Sequence, residues 1–218
     1  MTREAMFDAI DAGDEARLTE LLAAEPGLAG ERDDDGVSAA LHARYRDNHD
    51  AVRQLLATNP ELDAFDAAGL GRADRLAELL GADAGVATAF ASDGFTALHL
   101  AAFFGQTEAA RLLLERSAQP NLVSRNQLKV MPLHSAAAGS HMGVARLLVA
   151  GGADVNATQR HGYTPLHAAA QNGNVELTEL LLDAGADPTA RTDDGQSPGD
   201  LAKAAGHAAL AARLAGPG

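Results

Sequence analysis

One short core recurs along the chain at a nearly fixed interval, and that period limits the fold more than any other feature. TALHLAA (96–102), MPLHSAA (131–137), TPLHAAA (164–170) and a degenerate copy from Ser197 begin 35, 33 and 33 residues apart. A period of this size marks stacked supersecondary units, none of which can bury its apolar face alone. The first three cores are followed by RLLL (111–114), RLLV (146–149) and ELLL (179–182), each the apolar stripe of a second helix. The fullest copy, Gly94 to Leu114, carries three of only six phenylalanines.

These cores and leucine runs resemble the ankyrin repeat. The match is strong over 94–195, fair over 34–56 and weak at 4–22 and 62–80. The resemblance implies an all-α ankyrin-repeat solenoid of about seven helix pairs with short β-hairpin fingers, the outermost pairs acting as caps. It is read as a single domain over 1–218, in approximate units 1–33, 34–61, 62–91, 92–126, 127–159, 160–192 and 193–218.

Taken in order, residues 4–22 read as two helices broken at Gly13, with no hairpin before them. The unit at 34–56 has Asp35-Gly36 as its turn and Ser38 as N-cap. Leu41 stands there at the histidine position, and Asp47 at the glycine that ends the first helix; aspartate tolerates left-handed backbone better than most residues. Laying 7–44 over 65–102 aligns Phe7 with Phe65, Gly13 with Gly71, Leu21-Leu22 with Leu79-Leu80 and Gly36 with Gly94, all at a shift of 58. The N-terminal half is therefore a tandem of two-unit modules. Only 11 residues separate Leu56 from Ala67, which leaves the third unit, 62–80, no room for a finger.

From Gly94 onward the units are regular. Thr96 and Thr164 suit helix caps, Pro132, Pro165 and Pro198 suit first turns, and Gly105 and Gly173 suit helix ends. Met131 cannot cap, Ser140 replaces an end glycine, and Lys129 stands where other fingers carry a turn glycine. The connection from Ala118 to Met131 is two residues longer than its counterpart, which makes this finger a candidate contact loop. In the last unit, 195–214, Gly199-Asp200 replaces Leu-His, and GPG ends the sequence.

Composition excludes several functions. No apolar run approaches the ~18 residues needed to span a bilayer, and the acidic first residues lack a secretory h-region. With no cysteine there are no disulfides or thiolate metal sites. A cytoplasmic address is the expectation. Of the net charge of −13, residues 1–95 carry −12 and residues 96–218 carry −1. The N-terminal half should repel nucleic acid and anionic membrane and could steer a basic partner.

No enzyme signature rises above background: there is no G-x-S-x-G, H-E-x-x-H or P-loop. Gly69-Leu70-Gly71 begins a G-x-G-x-x-G that Asp74 breaks. An EF-hand register on Gly36 would put His42 where a glutamate is required. His99, His134 and His167 form a row at one repeat position, but neighbouring repeats lie about 8–10 Å apart, too far to share a zinc ion. The resemblance gives them a structural role instead, bridging backbone groups of adjacent repeats. Asn156-Ala157-Thr158 matches a glycosylation sequon. No catalytic residue, cofactor or metal is expected.

In the ankyrin fold, partners are met on the concave face, by finger tips and by the two residues before the glycine ending the first helix. Carried onto this chain, that set includes Tyr45, Arg46, Phe95, Phe103, Phe104, Leu128, Val130, Arg160, His161, Tyr163, Gln171 and Asn172. Five of the eight aromatics fall within it. The expected function is non-catalytic binding of a protein of unknown identity through an apolar patch centred on the phenylalanines. Phe103 or Phe104 would instead become core by filling the space of the missing third finger. Two other readings remain: a small-ligand or enzymatic pocket near 118–131, using Tyr163, His161, His134 and Arg160, or a scaffold pairing with itself. A monomer is expected, with a homodimer as the alternative.

Overall fold

A computed structural model describes residues 2–215; the terminal GPG lies outside them. The described residues form fourteen α-helices in seven antiparallel pairs. These are α1 Arg3–Ala12 with α2 Glu15–Ala24, α3 Ala39–Tyr45 with α4 His49–Ala57, and α5 Ala64–Gly69 with α6 Ala73–Ala82. Regular pairs follow: α7 Ala97–Phe103 with α8 Thr107–Glu115, α9 Pro132–Ala138 with α10 Met142–Ala150, α11 Pro165–Gln171 with α12 Val175–Asp183, and α13 Pro198–Ala204 with α14 Ala208–Leu214. No described helix is long and apolar enough to cross a membrane.

Sequence explains the thinness of each layer. First helices bury alanine rows such as Ala97, Ala101 and Ala102, and second helices insert one or two branched residues, Leu113, Val144 with Leu148, and Leu177 with Leu181, between them. Small residues let the layers approach closely, so one narrow core runs from Ala64 to Ala186. Each first helix ends on a left-handed residue. Asp47 (φ 56°) and Ser140 (φ 55°) take this conformation where Gly105 (φ 70°) and Gly173 (φ 66°) do elsewhere. Lys129 does the same in its finger at φ 52°.

The fingers are narrower than the expected β-hairpins. Among the described residues no strand forms, and only two isolated antiparallel bridges occur, Arg32 with Ser38 and Phe90 with Thr96. The finger arms are too short for a ladder: the turn bond from Gly36 N–H to Asp33 O (3.0 Å) and two cross-bonds, Asp33 N–H to Val37 O (2.9 Å) and Ala39 N–H to Glu31 O (3.0 Å), already span that finger. As the short Leu56–Ala67 connection dictates, the third unit has no finger. The tips of fingers two and four therefore meet directly, a Cβ built on Gly36 lying 2.6 Å from Ser92 Oγ.

The histidine row stitches the regular repeats. His99 Nε2 bonds the carbonyl of Val130 (3.0 Å), His134 that of Ala157 (2.9 Å) and His167 that of Gln196 (3.1 Å). Each Nδ1 accepts a backbone N–H, from Thr96, Met131 and Thr164 respectively. Nδ1 as acceptor makes each ring a neutral tautomer with its proton on Nε2. Burial pushes the His99 pKa down to about 4 and lowers those of His134 and His167. The departures at Leu41 and Asp200 follow: no finger comes after either unit, so no carbonyl awaits a donor. Asp200 instead completes a capping box with Ser197.

An asparagine ladder ties the outer turns and was not foreseen. Asn121 donates to Gly152 O (3.0 Å) and accepts from Asp154 N–H (2.8 Å). Asn156 repeats this with Gly185 O (2.9 Å) and Asp187 N–H (2.8 Å). The signal was present as two asparagines one repeat apart. Asn156, read as a sequon, is thus engaged on both ends of its amide.

Candidate partner-binding face

Three aromatic side chains from two first helices converge where the third finger is missing. Tyr45, ending α3, lies 5.7 Å from Phe103 and 5.1 Å from Phe104, ring centroid to centroid, and Phe103 meets Phe104 edge-on at 4.9 Å. Helix α5 lies between α3 and α7 in the stack. The rings meet across it because Gly69 occupies the column that Tyr45 and Phe103 hold in their own units, two residues before the left-handed position. A Cβ there would come within 2.6 Å of Leu41 Cδ1 and 3.3 Å of Phe104 Cδ2. Gly69→Leu is accordingly expected to cost about 1–3 kcal/mol by overpacking. It should also alter the near-ultraviolet circular dichroism of Tyr45 as the rings part; an unchanged spectrum with unchanged urea stability would refute this account of the cluster.

The expected apolar patch is corrected at two positions. Phe104 is only 9% exposed and packs with Val37, Leu41 and Leu100, with Phe65 and Phe95 alongside. It is core, packed against Gly69, and the Arg44 guanidinium covers its ring at 5.0 Å. Val130 is 8% exposed because the two-residue insertion folds back over itself. There Ser124 Oγ accepts the Val130 N–H (3.1 Å), and Asn126 accepts from Leu128 N–H (3.1 Å) while donating to Asp93 O (3.0 Å). Phe103 remains 48% exposed and Leu128 52%.

The remaining positions divide into two groups. Around the phenylalanines, Tyr45 is 36% exposed and its hydroxyl donates to Asp93 (3.3 Å), while Arg46 pairs with Asp11 (3.0 Å). Burial beside Asp93 raises the Tyr45 pKa. Further along, half-buried Tyr163 stacks near His167 at 5.2 Å and bonds Gln171. Asn172 is spent on the framework, donating to Ala138 O (2.9 Å). Arg160 and His161 are exposed on their finger, whose His161 carbonyl accepts from Asp193 N–H (2.9 Å). His134, named for the pocket reading, is buried with both ring nitrogens committed to backbone, so it cannot present a polar group to a ligand there.

Sequence reasoning missed a partly buried ionic group beneath the fingers. Asp63 and Asp66 occupy the Thr and His places of the first-helix cap and form a capping box. Arg32 reaches both, at 2.7 and 3.0 Å. Asp66 is fully buried, and burial, together with neighbouring Asp63, raises its pKa. Their place in the cap motif was the available signal. Among the described residues no group of three His, Asp or Glu side chains is arranged to hold a metal ion.

A family model for ankyrin repeats matches three times, over residues 6–124, 64–159 and 123–192. The chain belongs to the ankyrin repeat family. Among similar proteins, the ankyrin repeat and KH domain-containing protein mask-1 of Caenorhabditis elegans is 44% identical over 63 residues, 29% of this chain and 2% of that protein. The Homo sapiens ankyrin repeat and KH domain-containing protein 1 is 47% identical over 62 residues, 28% of this chain and 2% of that protein. The E3 ubiquitin-protein ligase XB3 of Oryza sativa subsp. japonica is 43% identical over 81 residues, 37% of this chain and 18% of that protein. This ankyrin-repeat chain thus spans less than a fifth of each of these three. Ankyrin repeats are protein–protein interaction modules, and the likeness lies in that framework.

Proposed function

We propose that this ankyrin-repeat protein is a non-catalytic module that binds a partner protein on its concave face, centred on Tyr45 and Phe103. The observation that carries this reading is the pair of exposed aromatic rings brought together across Gly69, where the framework has no need of Phe103. Buried aromatic anchors dominate interface energetics. Leu128, at the tip of the extended finger, is a second apolar contact on the same reading. The likeness to a ubiquitin ligase is confined to repeats and gives no ground for a ligase activity here.

The test replaces both rings, as Tyr45→Ser with Phe103→Ser, and compares proteins cross-linked from source-cell lysate by wild type and variant. A band captured by wild type and lost from the variant, at a melting temperature within a few degrees, is the expected result. Equal capture by both would place the binding surface elsewhere.

A further inference from the structure

Tyr45 lies in an acidic trough, and Phe103 borders it through its contact with the Tyr45 ring at 5.7 Å. Three adjoining grooves follow the finger tips across the first four units. One of about 480 Å³ has Glu4, Asp8, Asp33 and Asp34 in its walls. The next, about 450 Å³, is lined by Asp33, Asp35 and Asp93, with Tyr45 and Phe95 among its residues. The third, about 250 Å³, lies in the place of the missing finger and holds Asp63 and Asp66. Together they carry eight carboxylates against three arginines and one histidine.

The arginines are already engaged. Arg3 pairs with Asp34, Arg32 with Asp63 and Asp66, and Arg46 with Asp11. His42 is held between Asp33 and Asp11, at 2.8 Å from each. Among the described residues the carboxylates of Asp8 and Asp35 have no ion-pair or hydrogen-bond partner, and Asp93 spends one oxygen on Tyr45 and the other on its own turn. Unneutralised negative charge therefore lines an aromatic surface. The chain itself shows what suits such rings: arginines cover Phe7, Phe104 and Phe90, at 5.9, 5.0 and 3.9 Å from their centroids. No arginine is so placed over Tyr45, Phe95 or Phe103 among the described residues.

We propose that the trough takes an arginine- or lysine-bearing segment of the partner, its cations over Tyr45 and Phe103 and paired with Asp35, Asp93 and Asp8. Cation–π contact and charge complementarity then act together. This rests on reading the concave face as the partner-binding face, and it adds the partner's chemistry. A second copy of this chain is a poor occupant, because its own N-terminal half carries −12.

The experiment selects binders from a random-peptide library displayed on phage, with wild type, Asp8→Asn/Asp35→Asn/Asp93→Asn and Tyr45→Ser/Phe103→Ser as separate baits. Asp8→Asn/Asp35→Asn is a fourth bait, since neither carboxylate makes a structural contact. Wild type is expected to enrich peptides of net positive charge. By fluorescence anisotropy, their affinity should fall about tenfold or more on charge neutralisation. It should also weaken between about 0.01 and 0.15 M salt, as the Debye length shrinks from about 30 to 8 Å. Enrichment of neutral or acidic peptides, or less than a twofold effect of neutralisation, overturns the proposal. If such peptides still need Tyr45 and Phe103, the face binds a partner and only its chemistry was wrong. No enrichment, or peptides indifferent to both rings, brings down the reading of the face and this proposal with it.

Discussion

Phe104→Ala is expected to destabilise the fold by about 3 kcal/mol, in the range for truncating a buried phenylalanine. Phe103→Ala, one residue earlier, should cost about 1 kcal/mol or less, the scale of a lost aromatic pair at a surface. The difference comes from which ring fills the void above α5: Phe104 touches Val37, Leu41 and Leu100, whereas Phe103 meets only the outer faces of Tyr45 and Phe104 within the cluster. Urea denaturation of the two single variants measures it. Equal losses would mean that both rings are core, and that Phe103 is no binding anchor.

The second large effect is acid sensitivity through the histidine row. His99 titrates near 6.5 when unfolded and at about 4 when folded, so between these values the unfolded chain holds the extra proton. Its contribution is complete above about pH 6.5 and is lost as pH falls towards 4, some 3 kcal/mol in all. His134 and His167 shift in the same direction. Asp66 works the other way, because its raised pKa makes folding take up a proton. The single-site comparison is therefore the informative one. His99→Leu copies what unit two does naturally at Leu41, but although the Val130 carbonyl keeps the Ser124 N–H (2.8 Å), the buried Thr96 N–H loses its acceptor, costing about 1–3 kcal/mol at neutral pH. Between pH 7.5 and 5 the variant should lose about 2 kcal/mol less than wild type. Parallel pH profiles would show that His99 does not carry the effect.

Much of the framework was legible because it is periodic. Helix pairing, the left-handed backbone at Asp47 and the absent third finger follow from register, and the bridging histidines from the family resemblance. What stayed hidden depended on contacts between registers. Phe103 and Phe104 are neighbours with the same chemistry, and only the depth of the void over Gly69 decides which turns inward. Val130 looked like a finger-tip residue, but its burial comes from the local fold of an insertion with no counterpart in other units. The hairpins were inferred by resemblance, and arm length, not residue type, reduced them to isolated bridges. At the proposed binding face the aromatics stood out from the sequence, while Asp63 and Asp66 were disguised as ordinary helix caps.

The abutting tips of fingers two and four also bear on the curvature of the molecule. On the helical side α5 and α6 add a full layer, yet on the finger side nothing is added, so this layer is a wedge with its thin edge inward. Along α7 to α14, by contrast, every layer has both edges. Tyr45 and Phe103 come together across this wedge, and on the proposed reading of the face that favours a narrow protruding element of a partner over a flat surface.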